Sequence, residues 1–403
     1  MKRRALVGML FVLSLITYID RAVISSAKGD MAAHLALSDQ SMGAVFSVFA
    51  LGYALAQIPS GWLADRYGPR LALTAIVAVW SLLTAGTGAV GGLGALLAAR
   101  FLFGVAEAGA FPGAARAISN WLDRPERGLA NGIMFSGSRL GAALAFPMMA
   151  WLLEVCGWRV SFYLLAAPGL AWALLWWRWF RDRLAEAPAR GPEAAGPSAR
   201  LSGKALLGAG FHLAMVQYFA GNFTFFICLS WMHPYLKATY RLSQGEAALY
   251  AMLPLLLGAT AQWAAGWLVD KLYASRYRSW SRRLPAMLGF LLAALGVAAL
   301  TLAASPLAAA VCFALATFGA DMTISPSWAY CQDIGGKNTG ALSGAMNMAG
   351  NLGSFVSANA FPYLAGLTGS AAAYFLIAAL LNLASVACWQ RMRSVTAQAE
   401  AGL

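Results

Sequence analysis

Gly61-Trp62-Leu63-Ala64-Asp65-Arg66-Tyr67-Gly68-Pro69-Arg70 is a short charged stretch set between two apolar runs, and its first six positions return as Gly266-Trp267-Leu268-Val269-Asp270-Lys271, 205 residues later. A second landmark behaves in the same way. Gly128-Leu129-Ala130-Asn131-Gly132 to Leu140-Gly141 aligns with Gly340-Ala341-Leu342-Ser343-Gly344 to Leu352-Gly353 at an offset of 212. Two markers repeated in the same order mean that one unit of about half the chain is present twice.

Composition says what kind of unit it is. Of the 403 residues, 60% are hydrophobic and 11% are charged, with a mean hydropathy of +0.63. A soluble chain carries about 25% charged residues, so most of this one meets lipid or other apolar helices. The formal net charge of +13 does not point to nucleic acid. The basic residues cluster in short loops between apolar runs, which is a membrane-topology pattern. Cys156, Cys228, Cys312, Cys331 and Cys388 have no CxxC spacing and indicate neither a disulfide framework nor a zinc site. His34, His212 and His233 lie at span ends or in a loop, so no metal site is expected. Met1-Lys2-Arg3-Arg4 before an apolar run has the outline of a signal peptide. Asp20-Arg21 interrupts that run and many further spans follow, so a retained first helix is expected.

A spanning helix needs about 20 mostly apolar residues. Candidate spans fall near 5–27, 41–63, 71–92, 94–118, 128–152 and 158–180, then near 207–236, 246–270, 284–304, 306–330, 340–366 and 370–390. The expected fold is an all-α polytopic membrane protein of twelve transmembrane helices in a 6+6 pseudo-twofold arrangement. The expected domains are a six-helix bundle over 1–180, a cytoplasmic linker over 181–206 rich in proline and glycine, and a second bundle over 207–403 with a short cytoplasmic tail. With the N-terminus inside, Lys2, Arg3, Arg4, Arg66, Arg70, Arg124, Arg127, Arg178 to Lys204, Lys271, Arg276 to Arg283, Lys337, Arg391 and Arg393 are cytoplasmic. Only Lys28, Arg159, Lys237 and Arg241 then lie outside. This imbalance puts both termini in the cytoplasm and the chain in the cell's inner membrane.

Parallel repeats about an axis normal to the membrane are a transporter architecture, with the substrate site between the halves near the midplane. Arg139 and Asn351 become symmetry-related positions. Ionisable residues inside spans are the candidates for function, because one at a helix centre costs about 2.5–3.5 kcal/mol on insertion scales. They are Asp20, Arg21, Arg100, Glu107, Arg139 and Asp321. At a rise of about 1.5 Å per residue, Asp20, Arg21 and Arg100 share one outer layer and Glu107 lies about 10 Å deeper than Arg100. Seven residues apart, Arg100 and Glu107 project from one helix face.

Such a layer suits proton-coupled anion uptake. Ionised, Asp20 and Glu107 neutralise the arginines and repel an anion. Protonated, they free Arg21 and Arg100 for a bidentate grip on a carboxylate. The alternative is a set of buried ion pairs that lock the bundle. Arg139, near the midplane of the fifth span, contacts either substrate or Glu107. Asn347 and Asn351, four apart on one face of the eleventh span, either bond substrate hydroxyls or make helix–helix hydrogen bonds among Ala349, Gly350 and Gly353. Asp321, beside Pro326, reads as structural. Asp65-Arg66 reads as a cytoplasmic gate that pairs with a neighbouring helix end in one state and releases in the other. Arg70 and Glu126-Arg127 are expected in the same network.

The Gly61–Arg70 stretch resembles the cytoplasmic loop signature of the major facilitator superfamily. Tyr18-Ile-Asp-Arg21, Gly52-Tyr53 with Gln57-Ile-Pro59, Arg100-Phe-Leu-Phe-Gly104 before Glu107-Ala-Gly-Ala-Phe-Pro112, Arg127-Gly-Leu-Ala-Asn131 and Gly344-Ala-Met-Asn-Met-Ala-Gly-Asn-Leu-Gly353 together resemble its anion:cation symporter family. That family includes hexuronate, aldonate and aldarate transporters. The resemblance implies proton coupling at Asp20 and Glu107, substrate contact at Arg21, Arg100 and Tyr53, and no cofactor beyond protons as the coupling ion. The expected partners are a small organic anion, protons and the bilayer, with no nucleic acid, for a monomer that is not an enzyme. A proton antiporter exporting another small molecule is disfavoured by the three intramembrane arginines. An intramembrane aspartyl protease needs a Gly-x-Gly-Asp pattern, which Gly319-Ala-Asp321 does not match. A sugar-acid receptor that does not transport stays open.

Overall fold

The computed structural model describes residues 3–182 and 210–392. Most of the stretch read as a linker, with Lys2, Lys204, Arg393 and the C-terminal tail, lies outside the described residues.

The described residues are helical with no strand. The first span is Arg3–Ser26. The second and third lie in Asp39–Gly88, which turns at Gly68 with φ 80° and ψ 151°. The fourth comprises Leu93–Glu107 and Ala110–Trp121. The fifth and sixth lie in Arg127–Trp179, which turns at Gly157 with φ 70° and ψ 168°. Phe211–Ser230, Gln244–Tyr273 and Arg283–Ala299 are the seventh to ninth. Pro306–Met322 with Ile324–Gly335 is the tenth, Thr339–Thr368 the eleventh and Ala372–Arg391 the twelfth. A positive φ disfavours any residue with a β-carbon, which is why the two interior turns fall on glycines. Pro69, directly after Gly68, has its φ preset for a helix start. Among the described residues this makes twelve helical runs at the twelve expected places.

Three spans are less regular than their hydropathy predicts. The fourth breaks at Ala108–Gly109, the tenth at Thr323, and the seventh ends at Ser230 before a short helix, Met232–Tyr240. Pro112, Pro326 and Pro234 stand four residues past Ala108, Met322 and Ser230 and deprive those carbonyls of their N–H donors. Proline alone does not break a span. Pro59, Pro168, Pro254 and Pro362 are carried inside continuous helices. At the tenth-span break the Thr323 N–H and hydroxyl both donate to the Ala320 carbonyl, at 3.1 and 2.7 Å.

The chain divides into two compact units. The first comprises Met1–Leu122, Met134–Ala185 and Gly335–Ala345, and the second Asp123–Ile133, Glu186–Ile334 and Met346–Leu403. Each unit therefore takes in the opening turns of one long span from the other side of the 181–206 stretch.

Lipid tails are as apolar as leucine, so close packing and buried polar contacts hold such helices together. In the first unit a β-carbon on Gly61 would collide with the Gly340 backbone, and one on Gly344 with the Gln57 carbonyl. In the second unit Gly266 meets Gly128 and Gly132 meets the Gln262 carbonyl in the same way. The duplicated landmarks thus make the same backbone-to-backbone contact once in each unit.

Candidate functional site

The first span buries Leu6, Leu10, Leu13, Thr17, Asp20 and Ile24 along one stripe, at helical spacing. Asp20 is on the packed face, and Arg21 follows it by one residue at the edge. The fourth span buries Leu96, Arg100, Phe103, Gly104 and Glu107 on a single face. Gly104 lets that face approach the Phe49 carbonyl of the second span, and Gly52 lets the second span approach Phe101. The approach brings Phe49 and Tyr53 against Arg21 and Arg100.

The Arg21 Nε donates to Glu107 Oε2 at 2.9 Å. The Arg21 guanidinium carbon lies 4.4 Å from the Tyr53 ring centroid, 5.1 Å from Tyr18 and 5.7 Å from Phe49. The Arg100 guanidinium carbon lies 4.5 Å from Phe103 and 4.9 Å from the same Phe49 ring. Such contacts contribute about 2 kcal/mol when desolvated, and they hold guanidinium groups without using up their N–H donors. Asp20, Arg100 and Glu107 are all 2% exposed or less. Asp20 lies within electrostatic reach of Glu107 and Arg100. Both Asp20 oxygens, Glu107 Oε1, Arg100 Nε and Arg21 Nη2 are buried without a hydrogen-bond partner, and the Trp80 indole stands near Asp20 with its own N–H unpaired. Two carboxylates and two arginines thus share an apolar, aromatic-walled site with much of their bonding capacity unspent.

The structure brings Asp20, Arg21, Tyr53, Arg100 and Glu107 together. The Arg21 side chain reaches down to Glu107, so the acid read as the deeper of the two is the one that is paired. Arg139 is buried in the fifth span, 8% exposed. Asn347 and Asn351 are half-buried, and Asn351 Nδ2 donates to the Asn347 carbonyl of its own helix at 2.8 Å. Gly350 and Gly353 of the same span pack against Tyr218, Phe219 and Asn222 of the seventh. An open cavity of about 540 Å³ in the second unit is lined by Trp231, Tyr235, Phe361 and Phe375 among others. It has no charged side chain to offer an anion.

The residues read as a gate divide between the units. In the first, the Asp65 carboxylate accepts the N–H groups of Gly340 and Ala341, each at 2.8 Å, where orphan donors open the eleventh span. Arg116 Nε stands 3.6 Å from Asp65 and Arg116 Nη1 donates to the Gly336 carbonyl at 2.6 Å. Burial pushes the Asp65 carboxyl up to about 6, against the pull of those N–H groups and of Arg116. Arg66 is exposed and lies over the Trp62 and Tyr67 rings. Arg70 donates to the Trp177 carbonyl at 2.8 Å, at the end of the sixth span. In the second unit Asp270 accepts the N–H groups of Gly128 and Leu129 at 2.8 and 2.7 Å, repeating the Asp65 arrangement. Arg127 and Arg282 bind Asp333 at 2.9 and 3.0 Å, while Glu126 accepts the Asp123 N–H at 3.3 Å. Asp65 is thus held by groups of the first unit, and Arg127 by groups of the second. Arg116, Asp333 and Arg282 escape the sequence reading. Near span ends they pass for topology charges, and pairing across helices leaves no spacing to find.

Comparison with known proteins gives the class. The Major Facilitator Superfamily domain matches residues 10–358. The chain belongs to the major facilitator superfamily, and its relatives are of the anion:cation symporter type. It is 32% identical over 407 residues to the probable sulfoacetate transporter SauU of Cupriavidus necator, covering 96% of this chain and 93% of that one. It is 29% identical over 401 residues to the hexuronate transporter of Bacillus subtilis, covering 96% and 94%. The D-galactonate transporter of Escherichia coli is 28% identical, with coverage of 92% and 91%. Among solved structures, the proton:xylose symporter XylE superposes with a TM-score of 0.76 at 16% identity, covering 96% of this chain and 95% of that one. The chain is thus a multi-pass membrane transporter of this superfamily, and its relatives are transporters rather than enzymes.

Proposed function

We propose that this transporter imports a small organic anion, a sugar acid such as a hexuronate or aldonate, by proton symport through alternating access. The observation that carries the reading is the Arg21–Glu107 pair, with the buried, unbonded carboxylate of Asp20 beside it. Ionised, the four groups sum to zero charge. An anion entering such a buried site leaves it one charge negative, which is costly in an apolar surround. One proton on Glu107 restores neutrality and releases Arg21 in the same step. Substrate and proton then stabilise one state together.

In this reading Asp20 and Glu107 couple protons. Arg21 and Arg100 grip the anionic group, Tyr53 and Arg139 line the site, and Asn347 and Asn351 serve substrate hydroxyls. Asp65 with Arg66 and Arg70, and separately Glu126 with Arg127, belong to the gating ends. The protein works as a monomer in the inner membrane with both termini cytoplasmic, and 1–180 and 207–403 are its two bundles. Two arginines also suit a substrate with two anionic groups. The 32% identity to a probable sulfoacetate transporter brings sulfonated carboxylates into the candidate set.

The test is uptake into proteoliposomes of labelled hexuronate, aldonate, aldarate, sulfoacetate and neutral sugar, with and without an inward proton gradient. Gradient-driven accumulation of an acid is expected. Uptake indifferent to the gradient, or confined to neutral or cationic compounds, defeats the symport reading. Binding without any flux identifies a receptor instead.

A further inference from the structure

The two halves differ in length at one place. Asp65 and Asp270 are 205 residues apart, whereas Gly128 and Gly340 are 212 apart, so the second half carries seven extra residues between these landmarks. The turn after the second span of each half accounts for them. In the first half Pro69 opens the next helix four residues after Asp65. In the second half the ninth span opens at Arg283, thirteen residues after Asp270.

The longer turn is basic and aromatic. Residues 271–283 include Lys271, Arg276, Arg278, Arg282 and Arg283 and no acid. Arg282 turns inward. It is buried and donates to Asp333 Oδ2 at 3.0 Å and to the Arg124 carbonyl at 2.7 Å, which pins the turn to its bundle. Arg276, Arg278 and Arg283 have no acidic partner among the described residues. Arg276 donates to the Tyr277 hydroxyl at 2.7 Å, Arg278 to the Tyr273 hydroxyl at 2.5 Å, and Arg283 to the Met392 carbonyl. Each guanidinium also lies over a ring, Arg276 at 4.9 Å from Tyr277, Arg278 at 4.4 Å from Tyr273 and Arg283 at 5.9 Å from Trp280. These contacts position three positive charges and neutralise none of them.

Tyr277 and Trp280 are exposed. At the end of a span, such rings sit at the level of the lipid headgroups. From Arg283 onward the ninth span exposes Leu284, Leu288, Leu291 and Leu295. Steps of four, three and four put these leucines on one helix face. The stripe is about 16 Å long, close to the hydrocarbon depth of one leaflet, about 15 Å. The surface is therefore cationic at headgroup level and apolar along one leaflet. Three uncompensated guanidinium groups favour a lipid with net negative charge. A zwitterionic lipid carries its own cation to the same depth and offsets them less.

We propose that the 271–283 turn and the leucine face of the ninth span bind an anionic phospholipid. Its phosphate is held by Arg276, Arg278 and Arg283, and one acyl chain lies along the leucine stripe. The surface shares no residue with the site proposed for the transported anion, and its test does not depend on transport.

The full chain in detergent micelles is titrated with phosphatidylglycerol or phosphatidylcholine of matched acyl chains, and bound lipid is counted by native mass spectrometry. Each arginine near an anionic lipid contributes about fivefold in affinity. Wild type is therefore expected to prefer phosphatidylglycerol by about a hundredfold, from three such contributions. The triple variant Arg276→Gln, Arg278→Gln, Arg283→Gln should lose that preference. Arg66→Gln, on the exposed turn of the first half, should keep it. Equal affinity of wild type for the two lipids, or a triple variant that keeps the preference, overturns the proposal. Glycerophosphoglycerol, the free headgroup, separates a lipid from a soluble anion. It should not displace the lipid at equal concentration, and displacement assigns the arginines to a soluble phosphate and overturns the lipid surface. Where the triple variant does not fold, Arg276→Gln carries the test. Its side chain is exposed and bonds only Tyr277, so the expected loss is about fivefold, and an unchanged preference rejects the site.

Discussion

Replacing Glu107 by glutamine keeps the shape of the side chain and its ability to accept from Arg21 Nε, and removes one charge. At an effective dielectric of about 20 and a charge separation of about 4 Å, the Arg21–Glu107 attraction is about 4 kcal/mol. In wild type an incoming carboxylate competes against that hold. Removing it is equivalent to about a thousandfold in affinity, at 1.4 kcal/mol per decade. Glu107→Gln is therefore expected to bind its anion one to three decades more tightly than wild type at about pH 8. Its affinity should also fall less steeply with rising pH, by about one decade per unit, because one linked proton is gone. Calorimetric titration of purified protein between pH 6 and pH 8 measures both, with thermal unfolding as a control for folding. In proteoliposomes the variant should exchange substrate at a rate comparable to wild type yet fail to accumulate it against a gradient. A folded variant that accumulates like wild type refutes the coupling role. One that binds no more tightly at alkaline pH and also loses exchange shows that the pair locks the bundle.

Arg21→Lys and Arg100→Lys keep the charge but lose the planar fork, so each should lower uptake efficiency at least about tenfold, read as kcat/KM in proteoliposomes. Gly61→Val should disfavour the arrangement in which Gly61 touches Gly340 by about 1–3 kcal/mol, seen as faster labelling of a cysteine placed at Ala341. The same change at exposed Tyr67 should have no such effect. Asp65 gives a pH prediction. Its carboxyl is raised to about 6 by burial where it caps the eleventh span, so that arrangement binds a proton more tightly than one with Asp65 in water. Acidification from about pH 7 to pH 5 should therefore populate the capped arrangement. Labelling at Ala341, taken as a ratio to that of a cysteine at exposed Tyr67 so that the falling thiolate fraction cancels, should slow over that range in wild type and be flat in Asp65→Asn.

Much of this protein is legible in its sequence because the bilayer allows few solutions. Every span must satisfy its own backbone and expose apolar side chains to lipid, so hydropathy alone places twelve helices. The Gly61 and Gly266 stretches declare the repeat, and the cost of burying charge is enough to single out Asp20, Arg21, Arg100 and Glu107 among the apolar runs. The breaks beside Glu107 and Asp321 lie only partly in the sequence. Pro112 and Pro326 mark them, yet other prolines are absorbed without a break. Which partner each charge takes was decided by tertiary structure. Arg21 bonds Glu107 and leaves Asp20 unbonded. Asp65 caps the eleventh span, and Arg127 joins Asp333. The periodicity of one helix says which residues share its face. The rotation and depth at which that face meets another helix come from packing at Gly52, Gly104, Gly61 and Gly266, and those contacts join residues far apart in the chain.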